Sequence, residues 1–221
     1  MKYILSSIFV LHCLLGCSQN NALNKPSQKD IHVGGRCEGC EAIYESPVPF
    51  ALLKAVDTLP DFNDAGPKIE ISGIIYHRDG KTPAKDIVLY VYHTDQAGLY
   101  STKKNDPDNY RDGWGKRHGY IRGWLKTDAN GFYKFYTLIP ASYPNSNIVK
   151  HIHPTIKEPG YTEYWMDDFV FVDDPFLTEK ERTKSNPVGG NGVLKPSLKD
   201  GIYYATRNII LGLNVKDYPL K

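Results

Sequence analysis

From Lys68 onward, apolar and polar positions alternate in short runs broken by turn residues. Ile69, Ile71 and Ile75 interleave with Glu70, Ser72 and Ile74, a largely period-two pattern that predicts a strand. Ile87–His93 and Tyr120–Thr127 read as two more. Phe132–Leu138 alternates Phe and Tyr with Lys and Thr, after the tight turn Asp128-Ala129-Asn130-Gly131. His151–Ile156, Asp168–Val172 and Tyr203–Leu213 complete the strand set. Only Leu177–Lys184 reads as a short helix past residue 67, and Val48–Val56 fits either a short helix or an extended arm. The pattern predicts a mainly β chain, an antiparallel β-sandwich with long loops and an N-terminal arm. The longest loop, about residues 94–119, has a length usually tied to function.

Composition agrees. The 221 residues suit one domain, and 41% hydrophobic with 24% charged content excludes a disordered chain. Sixteen Tyr, 15 Pro and 19 Gly against 2 Met favour strands and turns over a helical bundle. Twenty-seven basic and 25 acidic residues leave a charge of +2, so a dedicated nucleic-acid binder is not expected. Oligomeric state is left open.

The N-terminus reads as an address. After Lys2, the apolar run Ile4–Gly16 is shorter than the twenty or so residues that span a bilayer. It ends Leu14-Leu15-Gly16-Cys17, which resembles a bacterial lipoprotein signal. The resemblance implies a signal peptide at 1–16, lipid attached to Cys17, and membrane association through that lipid. Ser18 then favours the outer membrane of a cell envelope. Residues 17–35 read as a flexible tether and 36–67 as the arm, before a sandwich domain at 68–221. Cys37 and Cys40 are expected to form a local disulfide in an oxidising compartment. A redox-active pair or half a zinc site stay open for that spacing.

The sharpest chemistry is His151-Ile152-His153. On a strand, both imidazoles project from one face with Cα atoms roughly 7 Å apart, which suits cis coordination of one metal. Around it, the Thr-Asp-x-x-Gly turn, the aromatic strand, Pro140, Tyr143-Pro144 and the His pair resemble the intradiol ring-cleavage dioxygenases. Gly98-Leu99-Tyr100, followed by Lys103-Lys104-Asn105-Asp106, resembles that family's first tyrosine segment. The likeness runs over about residues 68–175, and the anchor and Cys-Glu-Gly-Cys arm look like a secreted subgroup. It implies a prealbumin-like sandwich holding non-haem Fe(III) on Tyr100, Tyr143, His151 and His153. Tyr143 and His153 are implied as axial ligands, Tyr100 and His151 as equatorial. It further implies a catechol-type substrate, O2 as co-substrate, ring opening between the hydroxylated carbons, and Tyr143 as a catalytic proton acceptor. Phenolates are hard donors suited to a ferric ion.

Two positions depart from the family pattern. Ile148 stands where an Arg precedes the first His by three residues, and Asp168 stands where a Gln follows the second by fifteen. Arg122 is therefore a candidate catalytic and substrate-binding cation, with Lys150 and Asp168 as further substrate contacts. Arg117 and His118 fit an exposed loop. Tyr90, Tyr92, Tyr133 and Tyr136 fit strand packing.

Three other readings use the same residues. A cupin would use His151, His153 and Glu158, but Asn145 occupies its glycine position and no His follows His153. A prealbumin-like binding module would carry no metal. A lipoprotein could bind iron or an iron–catecholate without cleaving it.

Overall fold

The computed structural model describes residues 24–102 and 115–220. Twelve strands run in chain order: β1 Val56–Thr58, β2 Lys68–Tyr76, β3 Val88–His93, β4 Arg122–Lys126, β5 Phe132–Leu138, β6 His151–Lys157, β7 Tyr164–Trp165, β8 Phe169–Phe171, β9 Val193–Leu194, β10 Ser197–Lys199, β11 Ile202–Thr206 and β12 Ile209–Ile210. They form two sheets, one ordered β1-β5-β2-β11-β10 with β12 also on β2. The other is ordered β4-β3-β6-β8-β9 with β7 on β6.

The inner faces pack on each other. Ile69, Ile71 and Ile75 of β2 and Phe135 of β5 meet Leu89 and Val91 of β3, Ile152 and Ile156 of β6, and Phe169 of β8. Each of these alternates with outward residues, as the pleat requires. The expected strands other than Tyr203–Leu213, the capped helix Glu179–Arg182 and the sandwich architecture are present.

Three expectations change. The sheets are mixed rather than antiparallel, because β1–β5, β2–β11, β2–β12 and β8–β9 pair in parallel. Those partners are joined by long connections, the condition for parallel pairing. Tyr203–Leu213 is two strands, not one. Between them the Asn208 side chain takes the Ile74 N–H at 3.0 Å, and Arg207 N donates to Ser72 O. A Cβ on Gly73 would lie 1.8 Å from Arg207 O, so the crossing needs glycine. Residues 24–35, expected as part of a flexible tether, pack on the domain. Val33 is fully buried, Ile31 bridges to Tyr161, and Asn24 bonds the backbone of Val48 and Phe50. The signal peptide, Cys17 and the stretch Lys103–Asp106 lie outside the described residues.

The arm supplies a second core. Val88, Tyr90 and Trp124 point to the outer face of the second sheet and bury against Ala42 and Ile43 of a 3-10 turn, Cys40–Glu45. A second such turn, Phe50–Leu52, leads into β1, so Val48–Val56 is neither all helix nor all extended. Covered on both faces, β3 is buried along most of its length. The outer face it shares with β4 and β6 carries the candidate site.

Candidate metal centre

The register across the outer face sets the site. Arg122 of β4 pairs with Tyr92 of β3, and Tyr92 pairs with His153 of β6, so the three side chains form one row. His151 sits two residues earlier on the same face, while Ile152 between them is buried in the sandwich.

Two loops bring the tyrosines. Asp95 organises the first, accepting bonds from the N–H groups of Ala97 and Leu99 and from the Ser101 hydroxyl. Gly98 has φ +75°, and a Cβ there would lie 2.1 Å from Ser142 O. That close approach docks the loop carrying Tyr100 on the loop carrying Tyr143. Thr94 Oγ1 also donates to Ala141 O at 2.6 Å.

Four donor atoms converge. Tyr100 Oη lies 2.6 Å from Tyr143 Oη and 2.9 Å from His153 Nε2. Tyr143 Oη lies 3.3 Å from His151 Nε2, and the two Nε2 atoms are 2.9 Å apart. Each imidazole is braced through its other nitrogen: His151 Nδ1 lies 2.6 Å from Val149 O, and His153 Nδ1 lies 2.9 Å from Asp168 Oδ1. This is the pattern of metal-binding histidines whose free nitrogen is fixed by an outer partner.

Burial and hydrogen bonding to Tyr143 push Tyr100 well above the ordinary tyrosine range. Burial likewise raises Tyr143. Deprotonating both at neutral pH therefore calls for a cation where they meet, as a metal ion would supply. Burial and the neighbouring His153 lower His151, favouring the neutral imidazole that coordinates. Burial acts to raise Asp168, but the His153 ring beside it prevails and holds the carboxylate below its usual range. Two phenol oxygens and two imidazole nitrogens fit a ferric ion.

A cavity of about 410 Å³ opens onto the cluster, lined near it by Tyr143, Ile148, Val149, His151, His153 and Asp168. Tyr100 is not among its lining residues. A second cavity of about 310 Å³ also reaches His153, walled by Tyr92, Trp165 and the Cys37–Cys40 loop. Cys37 and Cys40 are joined as the expected disulfide, with Cα atoms 5.7 Å apart.

All four expected ligands come together. Arg122 and Lys150, expected as substrate contacts, do not line the cavity beside the cluster. Arg122 is buried in an ion pair with Glu45 at 2.5 Å and covers the Trp124 ring, and Tyr92 stands between it and His153. Lys150 reaches Asp173 at 3.1 Å and lies over Phe171. The cations on the larger cavity are instead Arg182 and Lys184, from the connection between β8 and β9. Asp168 lines both cavities, yet its hydrogen bond is to His153.

Two residues assigned to packing or an exposed loop support the site. Tyr92 stacks on His153 with centroids 4.6 Å apart, and His118 lies parallel to Tyr92 at 3.7 Å. His118 is buried, with Nδ1 2.9 Å from Tyr90 Oη. The position of Tyr92 on the strand beside the His pair is the signal that could have found it. Nothing local marks His118.

Comparison with known proteins agrees with this arrangement. A family model described as dioxygenase matches residues 50–187. Catechol 1,2-dioxygenase 1 of Acinetobacter lwoffii is 30% identical over 161 residues, covering 72% of this chain and 46% of the relative. The chain thus spans about half the length of that relative. The structure of catechol 1,2-dioxygenase from Acinetobacter sp. ADP1, inhibited by bound mercury, superposes with TM-score 0.52 at 18% identity, over 76% of this chain and 60% of that one. An intradiol ring-cleavage dioxygenase from Tetranychus urticae gives 0.50 at 17% identity, over 72% and 85%. At these identities the structures show a shared fold, and the family match carries the assignment. The chain belongs to the intradiol ring-cleavage dioxygenase family.

Proposed function

We propose that this chain is a non-haem Fe(III) intradiol dioxygenase that opens a catechol-type ring between its two hydroxylated carbons with O2. The observation that carries the reading is the convergence of Tyr100 Oη, Tyr143 Oη, His151 Nε2 and His153 Nε2 at the end of a cavity. Bound there, the ferric ion would supply Lewis acidity toward the catechol oxygens and prepare the ring for O2.

The chain's own residues divide the remaining work. A catechol ring would lie in the cavity against Ile148, Val149 and Val170, with its hydroxyls toward the donor cluster. Of the two phenols only Tyr143 lines the cavity, so Tyr143 is the group placed to take a catechol proton at its Oη. The Tyr92 ring and the Asp168 carboxylate hold the plane and tautomer of His153.

The site of action is the cell envelope, with Cys17 as the lipid-bearing residue facing the outer membrane. The Cys37–Cys40 disulfide supports an oxidising compartment. Among the described residues no helix is long and apolar enough to cross a membrane.

A second reading, capture of iron or an iron–catecholate without cleavage, is favoured by one observation. Ile148 presents an apolar, half-exposed side chain to the cavity, and neither Arg122 nor Lys150 replaces the cation the family carries there. Metal analysis and the visible spectrum of the purified protein, followed by oxygen uptake with catechol, separate the readings. About one iron per chain with a tyrosinate-to-iron band and oxygen uptake is the expected result. The coloured, iron-loaded protein consuming no oxygen with any catechol favours capture. A protein that stays colourless with ferric iron overturns both.

A further inference from the structure

We propose that Asp168 is a positioning residue for the metal centre, acting through His153. The proposal rests on the Tyr/His iron reading above. His153 turns Nε2 to the donor cluster and Nδ1 to Asp168 Oδ1 at 2.9 Å. An ionised carboxylate only accepts, so His153 Nδ1 carries the proton and Nε2 keeps its lone pair for a metal.

The two imidazoles are backed differently. His151 Nδ1 faces a neutral carbonyl, that of Val149, whereas His153 faces a full negative charge. A charged acceptor polarises the ring more strongly, so His153 is the stronger donor of the pair. Although donor atoms of His151, His153 and Asp168 lie within 4.8 Å of one another, the Asp168 oxygen is bonded to the nitrogen that faces away from the cluster.

The fold holds the carboxylate in place. Asp168 immediately precedes β8, whose Val170 N–H donates to Gly192 O at 3.0 Å. A Cβ on Gly192 would lie 2.0 Å from Asp168 O, so the two backbones touch at the position where Asp168 turns toward His153. Behind them the buried Arg207 donates to Asp167 O at 2.7 Å and to Gly190 O at 3.2 Å, tying both segments together.

The test uses the full chain loaded with ferric iron, comparing the wild type with Asp168→Asn and Asp168→Ala. Asn preserves shape and an acceptor oxygen but removes the charge, while Ala removes the bond. With less donation from His153 the iron becomes electron-poorer. Both variants are then expected to show a tyrosinate-to-iron band at lower energy and a higher iron midpoint potential. Asp168→Ala is expected to retain iron about 10- to 100-fold less well against a chelator. A merely structural Asp168 would lower the thermal unfolding temperature but leave the band and potential of the iron-bound fraction unmoved. Unmoved band and potential in Asp168→Asn, with iron retention in Asp168→Ala within twofold of wild type, overturn this proposal alone. A wild type that takes up no ferric iron overturns the iron reading and this proposal together.

Discussion

Tyr100 Oη and Tyr143 Oη lie 2.6 Å apart, although 43 residues separate them in the chain. Their meeting depends on two loops locked at Gly98 and Ser142, not on a strand pairing. The histidines come from one strand and need only the pleat. The centre is therefore half sheet and half loop, and its two halves fail in different ways.

The tyrosines should separate by role. Tyr100→Phe removes the phenol that touches both Tyr143 and His153, so iron retention and the visible band should both be lost or much weakened. Tyr143→Phe should keep a weaker band from Tyr100 but lose the proton acceptor on the cavity wall. Its kcat is expected to fall about 10²- to 10⁴-fold, the usual range for a general acid–base group. Iron analysis beside steady-state oxygen uptake checks both. Equal iron loss in the two variants would deny the division.

Ile148 gives a gain-of-function test. The residue is 52% exposed and lines the cavity, so a longer side chain has room there. Ile148→Arg should place a guanidinium beside a bound catechol and stabilise charge that develops on the ring, raising kcat about tenfold or more. An Ile148→Arg enzyme with unchanged oxygen uptake would mean that the apolar wall is not what limits turnover.

Much of this site was legible in the sequence because its signals are local. His151-x-His153 follows from strand periodicity, and Tyr143 is marked by its flanking Pro and its place before the His pair. Charge pairing was not legible. Arg122 looks available in sequence, yet its partner Glu45 lies 77 residues away on the arm. Lys150 is taken by Asp173, 23 residues on and across the β6–β8 strand pair. The packed segment 24–35 reads as polar linker, and its order comes from contacts such as Ile31 with Tyr161 and Gly34 with Lys216. Parallel pairing of β11 with β2 was equally hidden, since short strands look alike whichever way they run.

Gly98 should be intolerant of any side chain. Its φ of +75° is left-handed, and a Cβ would meet Ser142 O at 2.1 Å. Gly98→Ala should cost about 1–3 kcal/mol in unfolding free energy from the backbone conformation alone. Because the same contact joins the two tyrosine loops, iron retention should fall as well. Denaturant unfolding and chelator competition measured together test the link. Lost stability with wild-type iron retention would show that the docking of the loops is not what holds the tyrosines together.

Stability should also depend on pH through His118. Burial, helped by Arg122, His153 and Arg117 nearby, holds its pKa down to about 3. Unfolded, it titrates near its ordinary value of about 6.5. Between these values the unfolded chain binds a proton that the folded chain does not, so unfolding is favoured as pH falls. The neutral-histidine contribution is fully present above about pH 6.5 and drains away toward pH 3, at no more than about 1.4 kcal/mol per pH unit. His93, also lowered by burial, adds in the same direction. His118→Phe keeps a ring over Tyr92 but cannot titrate, and it gives up the bond to Tyr90. The variant should be less stable at pH 7, yet lose stability less steeply between pH 6 and pH 4 than the wild type. Urea unfolding of chelator-stripped protein across that range measures the slope directly. Parallel slopes would mean that His118 takes up its proton in the fold, and would leave the acid sensitivity to the other lowered histidines, His93 and His151.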